Sequence, residues 1–132
     1  MGWFNVRLTT VILCTGAAAC ASRPLQITAI QLGRSLNPDR SVSEFTTVFS
    51  PQDTVYLSVL TRGGGSGTIG VRWTYGEKVV GEPKKQVADR DIAATEFPLQ
   101  SAGGLPPGPY TVEVFLDEKS VGTRTFRVEK GP

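Results

Sequence analysis

The stretch Leu105-Pro106-Pro107-Gly108-Pro109-Tyr110-Thr111-Val112-Glu113-Val114-Phe115-Leu116 carries the most regular pattern in this chain. Successive side chains of a β-strand point to opposite faces, so the second half of this stretch predicts a half-buried strand. Its inner face would carry Val112, Val114 and Leu116. The prolines and Gly108 predict a tight turn that leads into the strand.

The same pattern of alternation continues on both sides of this strand. Downstream, a turn at 117–120 leads into a returning strand over 121–128, with Phe126 facing inward. Upstream, alternating segments predict strands at 25–32, 53–61, 69–75, 78–82 and 92–99. Seven or eight short strands and no segment of helical period predict an all-β chain folded as a β-sandwich.

The alternation also predicts which side chains form the core between the two sheets. The segment 33–44 is rich in turn residues and predicts a turn or an exposed connection, and the glycine-rich segment 63–67 predicts a flexible loop at one end of the sandwich. The predicted core residues are Leu57, Val59, Trp73, Tyr110, Val112, Val114 and Phe126.

Two features of the predicted strands resemble the immunoglobulin and fibronectin type III folds. Trp73 lies on the third predicted strand, and Leu105 to Tyr110 resembles a tyrosine corner, in which the tyrosine hydroxyl bonds back to upstream backbone. The resemblance implies an immunoglobulin-like β-sandwich of seven to eight strands over residues 25–129. Antibody domains have a core cysteine where this chain has Val112, so an aliphatic core would replace the disulfide.

The first 19 residues have the features of a cleaved secretory signal peptide. Arg7 is followed by an apolar run and by the small residues 15–19. The apolar segment from 8 to 19 covers only twelve residues, whereas a membrane-spanning helix needs about 20. A permanent transmembrane helix is therefore not expected.

The segment Ala17-Ala18-Ala19-Cys20 resembles the lipobox of bacterial lipoproteins. The resemblance implies that Cys20 becomes the first mature residue and receives a diacylglyceryl group, with residues 20–24 as a lipidated tether. Ala21 after the cysteine is compatible with transport to an outer membrane, and the protein would then face the periplasm or the cell surface. The alternative is an ordinary secretory signal, which would leave Cys20 as a free thiol.

Two further segments resemble small exported bacterial proteins of unassigned function that combine a lipoprotein signal with one such domain. These are Phe49-Ser50-Pro51-Gln52-Asp53-Thr54-Val55-Tyr56 and Gly108-Pro109-Tyr110-Thr111-Val112-Glu113-Val114. The resemblance implies a cell-envelope location and a fold, but no activity.

Composition argues against catalysis, metal binding and nucleic-acid binding. The chain has no histidine, the commonest general base and metal ligand. Asp89-Arg90-Asp91 offers too few oxygen ligands for calcium, and the glycines at 63–67 lack the Lys-Ser or Lys-Thr ending of a phosphate loop. After residue 19, 13 Lys and Arg oppose 12 Asp and Glu, scattered along the chain. We expect no enzyme, no cofactor, no metal and no nucleic-acid partner.

These observations lead to two hypotheses. The first is a membrane-anchored binding module of the cell envelope that recognises a protein or glycan partner. The second is a structural or accessory subunit of a larger envelope complex that serves secretion or transport.

Overall fold

The computed structural model describes residues 24–88 and 92–131, and these residues form ten strands and no helix. The predicted signal peptide and Cys20 lie outside the described residues. The strands are β1 (Gln26–Leu36), β2 (Val42–Phe45), β3 (Val48–Phe49), β4 (Val55–Arg62), β5 (Ser66–Tyr75), β6 (Lys78–Gly81), β7 (Lys84–Ala88), β8 (Ile92–Leu99), β9 (Gly108–Leu116) and β10 (Lys119–Val128).

The strands form two sheets. The four-stranded sheet has the order β2-β1-β4-β8, and all its pairs are antiparallel. The six-stranded sheet has the order β3-β10-β9-β5-β6, and β7 also pairs with β5. Only the short pair of β3 with β10 is parallel. This arrangement confirms the prediction of an all-β chain and is consistent with a β-sandwich.

A single apolar core contains residues from both sheets. Val55, Leu57 and Val59 of β4 are fully buried, as are Val112 and Val114 of β9. Every residue that the sequence predicts as core belongs to this buried cluster: Leu57, Val59, Trp73, Tyr110, Val112, Val114 and Phe126.

Phe126 of β10 lies at the centre of the aromatic part of the core. Its ring stacks on Tyr110 at 5.0 Å between centroids, and it meets the rings of Phe49 and Trp73 edge to face at 5.5 and 6.0 Å. Such pairs add about 0.5–1.5 kcal/mol each beyond their buried area. The aromatic cluster therefore joins β3, β5, β9 and β10.

The number of strands is larger than the predicted seven to eight, because β2, β3 and β7 are short strands at the edges of the sheets. Two residues of β3 pair with the end of β10, and β7 resumes pairing with β5 after Pro83. Neither β3 nor β7 is long enough to show a clear alternation of apolar and polar side chains. Their extended conformation is decided by the strand that each one pairs with.

The prediction of a turn or exposed connection over 33–44 is wrong for most of that segment. Gly33 to Leu36 continue β1, and Val42–Phe45 forms β2. Only the turn at 37–41 remains, and it lies over β4, where the Ser58 hydroxyl donates to the Arg40 carbonyl oxygen at 2.8 Å. Ser58 is fully buried as a result.

The predicted loop over 63–67 is also shorter than expected. Ser66 and Gly67 belong to β5, which leaves Gly63, Gly64 and Gly65 as the connection. Gly63 is buried and has a φ of +112°, and a Cβ at this position would overlap the Pro24 carbonyl oxygen. The first residue of the loop is therefore packed against the N-terminal segment.

The described part of the chain contains no helix that is long and apolar enough to cross a membrane.

Candidate binding groove

The outer face of the six-stranded sheet carries a row of polar residues. Val71 and Trp73 of β5 point into the core, so the alternation of the strand places Gly70 and Arg72 on the outer face. In the register with β9, Arg72 lies opposite Glu113 and Gly70 lies opposite Phe115. The sequence of β5 therefore places the exposed Arg72 next to the buried Gly70 on the outer face of the sheet.

Gly70 forms part of the floor of an open groove of about 560 Å³, which we call the Arg72 groove. Its size falls within the range of about 300–1,000 Å³ that is typical of ligand sites. A Cβ on Gly70 would lie 3.6 Å from Lys84 Cγ and 3.8 Å from Phe115 Cβ. The residues that line the groove are Thr68, Gly70, Val71, Arg72, Glu82, Pro83, Lys84, Phe115, Asp117 and Glu118.

Arg72 is held in place by three neighbours. Its Nε lies 3.2 Å from Glu82 Oε2, and its Nη1 lies 3.6 Å from Glu113 Oε1. Its guanidinium carbon lies 5.0 Å from the centre of the Phe115 ring. A guanidinium has five N–H donors in a fixed plane, so these contacts orient the group without using all of its donors.

One end of the groove is fixed by Asp117, which follows β9. The Asp117 Oδ1 accepts a hydrogen bond of 2.9 Å from the Thr68 backbone N–H, and the Asp117 N–H donates to the Thr68 carbonyl oxygen at the same distance. Asp117 and Glu118 both have positive φ values, 50° and 71°, as a tight two-residue hairpin turn requires. This end of the groove is therefore part of the hairpin that joins β9 to β10.

The charges that line the groove are mixed. Arg72 and Lys84 supply two cations, and Glu82, Asp117 and Glu118 supply three carboxylates. A nucleic acid needs a concentration of positive charge, which this surface lacks. The groove is suited to a polar ligand that both accepts and donates hydrogen bonds.

Two other polar clusters join elements of the fold. Arg34 donates to Glu44, Asp53 and the Val48 carbonyl oxygen, so it ties β1 to β2, to β3 and to the turn before β4. Hydrogen bonds to Glu44 and then to Asp53 raise the pKa of Arg34. The Arg34 guanidinium therefore serves to hold these elements of the fold together.

Lys85 joins the edges of the two sheets. Its Nζ donates to the Glu96 carbonyl oxygen at 2.5 Å and lies 5.0 Å from the centre of the Phe97 ring. The sequence alone gives the pair Lys84-Lys85 no function. In the structure the two lysines diverge, since Lys84 lines the groove and Lys85 bridges β7 to β8.

The predicted core residues lie apart from the groove. The seven predicted core residues are in the interior, and Cys20 and Asp89-Arg90-Asp91 lie outside the described residues. Sequence reasoning missed the residues of the groove, although an outward glycine inside a strand is a recognised sign of close approach by another group. Gly70 carries that signal.

Within 24–88 and 92–131, no three metal-binding side chains lie close enough together to hold a metal ion. Comparison with protein-family models finds no match to this chain, and comparison with curated proteins finds no significant relative.

Proposed function

We propose that this chain is a small bacterial envelope lipoprotein, anchored through Cys20, whose immunoglobulin-like domain binds a glycan in the Arg72 groove without catalysis. The observation that carries the proposal is the groove itself. It is a preformed surface in which an oriented guanidinium, several carboxylates and an aromatic ring surround a glycine floor.

The order of the strands supports an immunoglobulin-like assignment. One sheet pairs β1, β4 and β8, the other pairs β10, β9 and β5, and the short β3 crosses over to pair in parallel with β10. The buried Trp73 lies on β5, and Tyr110 near the start of β9 bonds back to Pro106. These are the positions of the central tryptophan and of the tyrosine corner in that fold.

A glycan fits the groove better than an extended peptide that binds by strand addition. Strand addition needs a sheet edge with free backbone groups, whereas β5 is already paired on both sides, with β9 and with β6 and β7. Sugar hydroxyls both donate and accept hydrogen bonds, which suits a surface where Arg72 and Lys84 alternate with carboxylates. Phe115 adds an apolar contact beside the glycine floor.

The anchor is supported by the lipobox-like segment that ends at Cys20. Cys14 lies within the predicted signal, so the mature chain would keep Cys20 as its one cysteine. In an oxidising compartment a single exported thiol is better explained if it carries lipid than if it stays free. Two or more acyl chains give stable membrane attachment, whereas one gives only marginal binding.

A non-catalytic role is supported by the ion pairs and hydrogen bonds that the carboxylates around the groove already make. Glu82 and Glu113 are engaged by Arg72, and Asp117 accepts from backbone. General acid–base catalysis needs a group poised to exchange a proton, and the chain has no histidine for that purpose.

The test uses a Cys20→Ser protein without its signal peptide and isolated cell-wall glycan as the probe. Gly70→Ala is the decisive variant, because its new methyl group meets neighbours at 3.6–3.8 Å, which is ordinary contact, yet it fills the floor of the groove. Gly103→Ala is the matched control, since a Cβ at that exposed position meets nothing within 4 Å.

We expect Gly70→Ala to weaken glycan binding while the melting temperature stays at or above that of the parent, because alanine costs less backbone entropy than glycine. Gly103→Ala should bind as the parent does. Equal binding by both variants, or no binding by the parent, contradicts the glycan proposal. Recovery of one protein from cross-linked envelopes by both variants alike would instead indicate a protein partner that binds outside the Arg72 groove, and recovery of nothing above background would favour the accessory-subunit hypothesis.

A further inference from the structure

The N-terminal segment is fixed to one end of the sandwich. Leu25 is buried and packs beside Gly67, and the Pro24 carbonyl oxygen lies against Gly63. Gln26 then pairs with Arg62 at the end of β4. The chain therefore enters the domain at a defined place and in a defined direction.

The strand registers show what else lies at this end, which we call the anchor pole. It contains the N-terminal residues 24–25, the loop at 63–65 and the turn at 117–118, which is bonded to Thr68 of β5. The other end of the sandwich contains the turns at 51–53, 76–77 and 101–104. Strand β5 has ten residues, so the two ends lie about 30 Å apart at about 3.3 Å per residue.

We propose that the anchor pole faces the lipid surface and that the opposite end of the domain points away from it. This inference rests on the proposed lipid anchor. Only residues 21–23 separate Cys20 from Pro24. Four residue steps extend at most about 14 Å, so the short tether holds the docked Pro24 close to the membrane.

The side chains at the anchor pole allow this close approach. The loop at 63–65 consists of three glycines and has no side chain that would hold the membrane at a distance. Arg62 and Lys119 balance Asp117 and Glu118 in charge, so these four residues create no net repulsion from an anionic lipid surface. Among the described residues of the pole, neither the glycine loop nor these four charges oppose contact with a bilayer.

This orientation places the Arg72 groove next to the membrane. Thr68 and Asp117 lie at the anchor pole, and Arg72 is four residues further along β5, which is about 13 Å. The groove therefore opens sideways, close to the lipid. A ligand in the groove would lie close to the membrane surface, and the opposite end of the domain would lie further from that surface.

The test measures the distance from each end of the lipidated full chain to the membrane. Ser66→Cys places a thiol at the anchor pole and Ser101→Cys places one at the opposite end, and both serines are exposed. Lipid occupies the Cys20 thiol in the mature protein, so each variant has one thiol for a fluorescent donor. Phosphatidylglycerol-containing vesicles carry an energy-transfer acceptor on their headgroups.

We expect energy transfer at least about twofold greater from residue 66 than from residue 101, because the ends differ by about 30 Å in height. A flexible Gly-Ser insertion of about 12 residues after Ala21 should remove the difference, since such a linker reaches about 19 Å on average. Equal transfer, or greater transfer from residue 101, in protein that floats with the vesicles overturns the orientation and leaves the anchor intact. Failure to float overturns the lipid anchor, and the orientation with it.

Discussion

The hydroxyl group of Tyr110 donates a hydrogen bond of 2.7 Å to the carbonyl oxygen of Pro106, four residues earlier in the chain. The Tyr110 ring is buried and stacks on Phe126, so the bond ties the crossover before β9 to the core of the sandwich. A neighbouring bond runs from the Tyr75 hydroxyl to the Pro107 carbonyl oxygen, also at 2.7 Å. Two successive carbonyls of the crossover are therefore held by tyrosines from adjacent strands.

Replacing Tyr110 with Phe should lower the free energy of unfolding by about 1–1.5 kcal/mol, because the ring stays while the part-buried hydrogen bond to the Pro106 carbonyl oxygen is lost. Urea unfolding measures the change. Tyr75→Phe is the matched control. It removes the same kind of bond at an exposed position, where water replaces the lost donor, and it should cost no more than about 1 kcal/mol.

Glycan binding should survive Tyr110→Phe, because Tyr110 faces the core and the Arg72 groove lies on the outer face of the same sheet. A variant that keeps its stability but no longer binds would instead place Tyr110 in the recognition surface. That result would contradict the assignment of faces on β9, since a shift of one residue exchanges the two faces of a strand.

Stability should fall at high pH in a way that depends on Tyr110. Burial, followed by the nearby Tyr75, raises the pKa of Tyr110 above its ordinary value of 10.0. A raised pKa of Tyr110 contributes to the free energy of unfolding, and this contribution is fully present below the pKa of the same tyrosine in the unfolded chain. It is lost as pH rises from that value through the pKa of the folded state, because the unfolded state releases its proton at lower pH. Urea unfolding at pH 8 and above pH 10 should show a larger loss for the parent than for Tyr110→Phe. Equal losses would exclude Tyr110 as the source.

Truncating Trp73 to Ala should cost about 3–5 kcal/mol, a large share of the 5–15 kcal/mol that stabilises a typical domain. Trp73 is 1% exposed and meets Phe126 edge to face. Trp73→Phe should cost less, since it keeps a ring and removes the indole Nε1, for which the structure shows no hydrogen-bond partner. Thermal unfolding followed by far-UV circular dichroism tests both. An unchanged melting temperature for Trp73→Ala would contradict the core position.

Replacing Cys20 with Ser should abolish lipid attachment and release the protein from membranes, because the oxygen of serine does not replace the thiol as the modified group. Metabolic labelling with a fatty-acid analogue, followed by membrane fractionation, measures both effects. Cys14→Ser is the control, since that cysteine lies within the predicted signal peptide and should not change labelling. Continued labelling of the Cys20→Ser protein would contradict the lipobox assignment.

The side-chain alternation of the sequence was sufficient to assign β4, β5 and β9 and their inner faces. It placed Leu57, Val59, Val112 and Val114 in the core because period-two alternation depends only on local backbone geometry. The same local information was insufficient for 33–44, where turn residues such as Asn37 and Pro38 suggested an exposed connection. There, pairing between β1 and β2 decides the conformation.

The sequence by itself determined the fold class, the buried faces of β4, β5 and β9 and the turn that leads into β9, because these follow from side-chain period and from the restricted backbone of proline and glycine. Only the tertiary structure decided the short edge strands, the attachment of Pro24 to Gly63 and the Arg72 groove. The groove unites side chains from β5, β9 and the segment before β7, which are up to 50 residues apart in the chain, from Thr68 to Glu118. Strand register brings them together, and register depends on the packing of the whole sheet rather than on any one segment.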